Sequence, residues 1–122
     1  MLAALALAAS CGAWHAGVTG HYFGQVESQG PKAIDTWITE REGGLSGSYV
    51  LHEPDRDVPG TLEALGDAGC DTVLFRWTDV YGTGVARLRF LPPQRCFEGA
   101  WGAAQVSPAL IWHSCARTPV TS

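Results

Sequence analysis

The chain has 122 residues, enough for one domain around a single modest core. Apolar residues make up 46 %, charged residues only 16 %, and the net charge is −4 with no run of Lys or Arg. That composition folds, and it excludes a nucleic-acid partner, whose phosphates are held by clustered cations. Fifteen glycines and five tryptophans among few helix-forming residues point to a β-barrel or sandwich rather than a helical bundle. In chain order the first element is residues 2–10, LAALALAAS, which carries no charge. A membrane-crossing helix needs about 20 such residues. A core helix apolar on every side has no place in a chain otherwise without helices. The reading left is the apolar region of a secretory signal occupying residues 1–10.

An apolar run ending in small residues before a cysteine resembles the bacterial lipoprotein signal. Ala9 and Ser10 match the small residues before cleavage, Cys11 matches the lipid-modified cysteine, and Gly12 follows it. Ala8 stands where the pattern prefers Leu, and basic residues are missing ahead of the run. The resemblance implies lipidation of Cys11 and a lipid-bearing tether over residues 11–16. It also implies a membrane partner through that anchor and a place in the bacterial cell envelope, periplasmic or surface-facing. An ordinary cleaved signal would instead leave a secreted domain.

From Gly17 to residue 122 the chain alternates with period two, the mark of strands with one wet face. DTVLFRWTD sets Val73, Phe75 and Trp77 on one face and Thr72, Arg76 and Thr78 on the other. VARLRF turns Ala86, Leu88 and Phe90 inward and Arg87 and Arg89 outward, and CFEGAWG sets Phe97, Gly99 and Trp101 against Glu98. A slower rhythm overlies this one. Gly47/Tyr49, Gly60/Leu62, Val73/Phe75, Ala86/Leu88 and Gly99/Trp101 each place a compact residue two positions before a bulky one, and the pairs recur every thirteen residues. Thirteen residues make about one strand and one turn of an all-β meander. An inward glycine lets a strand bend round a small barrel while its bulky neighbour fills the space. SQGPK, EGGLS, EPDRDVPG, GDAG, VYGTG, LPPQ and GAAQVSP supply the turns. The expected fold is therefore all-β: a small antiparallel up-and-down barrel of about eight strands. Nine rings (Tyr22, Trp37, Tyr49, Phe75, Trp77, Phe90, Phe97, Trp101 and Trp112) are expected inside, enough to fill it.

The segment FRWTDVYGTGVARLRF…CFEGAWG resembles one that recurs in small, mostly uncharacterised secreted bacterial β-barrel proteins. Its pattern, W-x-D-x-x-G-x-G followed by F-x-G-x-W-G, is matched at Trp77, Gly82, Gly84, Phe90, Phe97, Gly99, Trp101 and Gly102. The resemblance covers roughly the last third of the domain. It implies a fold built on architectural residues, and no activity. The ligand residues of avidin-like and lipocalin-like barrels find no match here.

An even strand number puts both chain ends, and all four cysteines, at one end of the barrel. If the last hairpin centres between Gln105 and Val106, Cys96 faces Cys115, a feasible disulfide in an oxidising compartment. Cys70–Cys96 is the alternative. Lipidation at Cys11 would leave one thiol spare, and without it four thiols allow three connectivities. The spacing lacks the C-x-x-C of a zinc site.

Candidate chemistry is thin. His52, Glu53, Asp55 and Asp57 cluster in one loop, but Pro54 and Arg56 interrupt them and the EF-hand spacing is absent, so the loop reads as solvated rather than as a metal site. His21 and His113, on strands one and eight, are expected to neighbour each other on the outer face. Arg76, Arg87 and Glu98, eleven apart on successive strands, are expected to form one row, and Arg76, Arg87 and Arg89 are a candidate anion-binding face. Asp35 is the one acid placed on an aromatic face. Ser114 and His113, being strand neighbours, point to opposite sides and cannot act together. No nucleophile elbow, zinc-protease helix or phosphate loop is present, so neither an enzyme nor a cofactor is expected. The sequence thus points to a cell-envelope lipoprotein acting as a non-catalytic binding or interaction module, docking a protein partner through the turns at the end away from the cysteines. The alternative is a secreted calycin-like carrier of a small apolar ligand.

Overall fold

The computed structural model describes residues 11, 12 and 14–117. Eight antiparallel strands run β1 (Gly20–Glu27), β2 (Pro31–Arg41), β3 (Gly44–His52), β4 (Asp57–Asp67), β5 (Thr72–Asp79), β6 (Gly82–Leu91), β7 (Cys96–Ala103) and β8 (Leu110–Ala116). They pair in sequence order, and β8 pairs back on β1 to close the barrel. A 3-10 turn, Trp14–Val18, precedes β1. The signal segment expected over residues 1–10 lies outside the described residues.

The inner face of each strand is its apolar set, as period two requires. Val73, Phe75, Ala86, Leu88, Phe90 and Phe97 are fully buried. The thirteen-residue rhythm has a cross-strand cause as well as the expected one along the strand. Tyr49 lies directly opposite Gly60, Trp77 opposite Gly84, and Trp112 opposite Gly99. A methyl group at Gly60 would run into the Tyr49 ring, and one at Gly84 into the Trp77 indole. The glycines are seats for rings on the neighbouring strand.

Strand β2 corrects one expectation. Ile34, Thr36 and Ile38 face in, so Asp35 and Trp37 face out, and Trp37 is 39 % exposed, stacked on His21 at 4.6 Å between ring centroids. Three inward β-branched residues outweigh one tryptophan in setting the phase of the strand, and a one-residue error of phase moves every side chain to the other face.

Two hairpins are also longer or shorter than the row of Arg76, Arg87 and Glu98 needs. The turn between β5 and β6 is Val80–Tyr81, because Asp79 pairs with Gly82; this sets Arg76 opposite Val85 and Arg87 opposite Leu74. Four residues separate Leu91 from Cys96, which sets Arg89 opposite Glu98 and Arg87 opposite Ala100. Arg76 pairs instead with Glu63 at 3.3 Å, and Arg89 with Asp71 at 3.1 Å and Glu98 at 3.8 Å. Two of the three cations of the expected anion-binding face, Arg76 and Arg89, thus carry carboxylate partners.

The cysteine end of the barrel is closed. Cys96 pairs with Cys115 in direct cross-strand register, as expected from the hairpin centre, and Cys11 pairs with Cys70. The second bond and lipidation of Cys11 exclude each other, because a sulfur in a disulfide has no valence left for a thioether. The segment that follows folds onto the barrel. Trp14 packs against Phe90 at 6.1 Å, Val18 is buried and accepts the Tyr22 hydroxyl at 2.6 Å, and His15 bonds the Gly43 carbonyl and Asp67, each at 3.0 Å. The N-terminal turn is a plug.

Candidate functional site: the open end of the barrel

With one end plugged, the opposite end decides what the interior can do. There the turns after β1, β3, β5 and β7 surround the mouth of a cavity of about 440 Å³, within the usual range for small-molecule sites. The nine rings expected inside do not fill the barrel. Trp37 is outside, while Tyr22, Phe90 and Phe97 pack together near the plug, leaving the mouth half with Tyr49, Trp77, Trp101 and Trp112 around open space. Ile34, Leu51, Val26 and Leu110 complete its apolar wall.

The rings are fixed. Trp77 Nε1 donates to the Gly102 carbonyl and Trp101 Nε1 to the Glu27 carbonyl, both at 2.9 Å, and the two indoles meet edge to face at 5.3 Å. Tyr49 meets Trp112 edge to face at 5.6 Å. The motif residues Trp77 and Trp101, expected to be architectural, are therefore both architectural and cavity-lining.

The polar groups sort by depth. Around the mouth stand Ser28, Gln29, Glu53, Asp79 and Tyr81. Tyr49 Oη donates to Asp79 Oδ2 at 2.7 Å, and the Tyr81 backbone N–H donates to Asp79 Oδ1 at 2.8 Å. Burial, and then the bond to Asp79, push the Tyr49 phenol far above its ordinary pKa, so it stays protonated and keeps donating. Tyr81 Oη donates to Glu53 Oε1 at 2.6 Å and accepts from Arg56 Nη2 at 2.9 Å. Within the barrel, Trp112 Nε1, Thr36 Oγ1 and Ser114 Oγ are buried with no hydrogen-bond partner among the described residues. Each such group costs about 1–3 kcal/mol.

The other candidates resolve differently. His21 and His113 do not meet, because β8 pairs with β1 so that His113 lies opposite Gln25. Asp35, expected on an aromatic inner face, is instead the centre of an outer ladder: His21 Nε2 lies 2.6 Å from one carboxylate oxygen and His52 Nε2 2.7 Å from the other. Arg117 approaches Asp35 at 3.5 Å, and His52 Nδ1 reaches Asp57 at 2.9 Å. Burial pushes the Asp35 carboxyl up, but the bonds to His52 and His21 outweigh it and hold the group below its ordinary pKa. The bonds to Asp35 and Asp57 raise His52. The loop set His52, Glu53, Asp55 and Asp57 thus disperses: His52 and Asp57 join the ladder, and Glu53 turns to the mouth. Nothing in the sequence brings Asp35 to His52 until the register of β2 on β3 sets Ala33 opposite His52. Ser114 is buried and His113 exposed, as their strand alternation requires. Among the described residues, Cys96, His113 and Cys115 hold potential metal-ligand atoms within 4.8 Å of one another, but both sulfurs are committed to the disulfide.

Comparison with protein-family models, curated proteins and solved structures finds no match for this chain. What the site can do therefore rests on its geometry.

Proposed function

We propose that this protein is an exported, non-catalytic binding module whose barrel mouth takes a small, largely apolar ligand. The observation that carries the reading is the cavity of about 440 Å³ walled by four fixed aromatic rings above a plugged floor. Small-molecule sites combine such an apolar wall with a few convergent polar groups, and an eight-stranded barrel has an interior of the size for one small ligand. Of the two readings the sequence left open, this favours the carrier over a docking module with a filled core. Export is supported by the apolar leader and by four cysteines all engaged in disulfides, which persist in oxidising compartments. The bacterial cell envelope or the space beyond it is the compartment this reading assigns.

Titration with the neutral fluorophore N-phenyl-1-naphthylamine tests it. Saturable, one-to-one fluorescence enhancement is expected, and Leu110→Trp, which adds an indole at the mouth, should weaken it at least tenfold. Enhancement that never saturates, or that Leu110→Trp leaves unchanged, would remove the cavity as the binding site.

A further inference from the structure

We infer that the ligand of this cavity is an organic cation: an amine or quaternary ammonium at the mouth, carried on an apolar body. The inference rests on the reading of the cavity as a binding site and adds the chemistry of its occupant.

Charge at the mouth is the first observation. Two carboxylates, Asp79 and Glu53, line the cavity, and no Lys, Arg or His does. The two cations nearby are already engaged. Lys32 Nζ donates to the backbone carbonyls of Ser28 at 2.6 Å and Gln29 at 3.0 Å, tying down the turn after β1. Arg56 lies 3.7 Å from Glu53 and caps the Tyr81 hydroxyl. Asp79 has only neutral donors, the Tyr49 hydroxyl and the Tyr81 backbone N–H, and enters no ion pair among the described residues. These two bonds fix the carboxylate beside the aromatic wall, where the dielectric is low and a cation gains most from it.

The wall itself is the second observation. Tyr49, Trp77, Trp101 and Trp112 present ring faces or edges to a single space, and aromatic rings attract cations through their quadrupoles, tryptophan most strongly. Rings combined with a carboxylate at the rim form a chemistry that favours ammonium groups and repels carboxylates and phosphates.

Calorimetric titration at neutral pH with three probes of one frame tests this: 4-(4-methoxyphenyl)butylamine, the corresponding butanol, and the corresponding butanoate. The amine should bind at least tenfold more tightly than the alcohol, and the carboxylate least of all. Asp79→Asn, which keeps an acceptor for the Tyr81 N–H, should remove most of the amine's advantage while leaving the alcohol's affinity within about twofold. Arg56→Gln, which frees Glu53, should tighten the amine alone. If the alcohol binds as well as the amine, or if Asp79→Asn weakens both equally, the cation is refuted and the apolar cavity stands. If the amine, alcohol and naphthylamine probes all fail to bind, the cavity reading itself falls.

Discussion

Replacing Gly60 by alanine should cost far more than one methyl group ordinarily does. The added Cβ would overlap Cζ, Cε1 and Oη of Tyr49 directly across the strand pair. Tyr49 also meets the Trp112 ring edge to face, with 5.6 Å between centroids, and its ring has to move to admit the methyl. A swing into the cavity breaks its 2.7 Å bond to Asp79. Overpacking of this kind costs about 1–3 kcal/mol, and loss of a hydrogen bond to a carboxylate adds about 1.5 kcal/mol. The sum, about 3 kcal/mol, lowers the Tm of a domain this size by roughly 10–15 °C. Thermal unfolding followed by circular dichroism reads it directly. Gly17→Ala is the control: it meets nothing within 4 Å and should change stability by less than about 0.5 kcal/mol. In a Tyr49→Leu background the cost of Gly60→Ala should fall by at least half, since contacting residues couple. A Gly60→Ala protein melting within a few degrees of wild type, or strict additivity with Tyr49→Leu, would refute the view that glycines are seats for cavity rings.

Three further outcomes follow from the same geometry. The Asp35–His52 pair makes stability depend on pH: the lowered Asp35 contributes above about pH 4 and is lost below it, while the raised His52 contributes fully below about pH 6.5 and is lost as pH rises through its folded value. Chemical denaturation should therefore give wild type an advantage over His52→Gln near pH 5.5 that shrinks by pH 8.5, an effect under about 1 kcal/mol because His52 is a third exposed; an equal difference at both pH values would argue against the ladder. Cys96→Ser/Cys115→Ser opens a 19-residue loop and should cost about 3 kcal/mol by loop entropy, measured by urea unfolding, with a loss below 1 kcal/mol contradicting it. Non-reducing peptide mapping should link Cys11 to Cys70, whereas an intact mass carrying acyl chains on Cys11 would overturn both that bond and the plug it anchors.

How much of this was legible beforehand depended on which interactions are local. Strand number, meander order and the Cys96–Cys115 register follow from alternation and from one hairpin centre, both short-range. The phase of β2 was misread from its one tryptophan: Trp37 and Asp35 share one parity and Ile34, Thr36 and Ile38 the other, and the three β-branched residues take the inside. The arginine row failed by two residues at each of two hairpins, because glycine and proline mark a turn without fixing its centre; Gly82 is the first residue of β6, and Pro92 and Pro93 open a four-residue loop. Cys11–Cys70 joins residues 59 apart, beyond any spacing rule. Counting rings overestimated the filling, since four of them line a space instead of occupying it.

The most direct test of the binding account follows the indole N–H resonances of all five tryptophans while N-phenyl-1-naphthylamine is added. Trp77, Trp101 and Trp112 line the cavity, whereas Trp14 belongs to the plug and Trp37 to the outer face. The first three signals should shift and saturate together while the other two hold still. Shifts confined to Trp37, or none at any of the five, would contradict binding in the cavity.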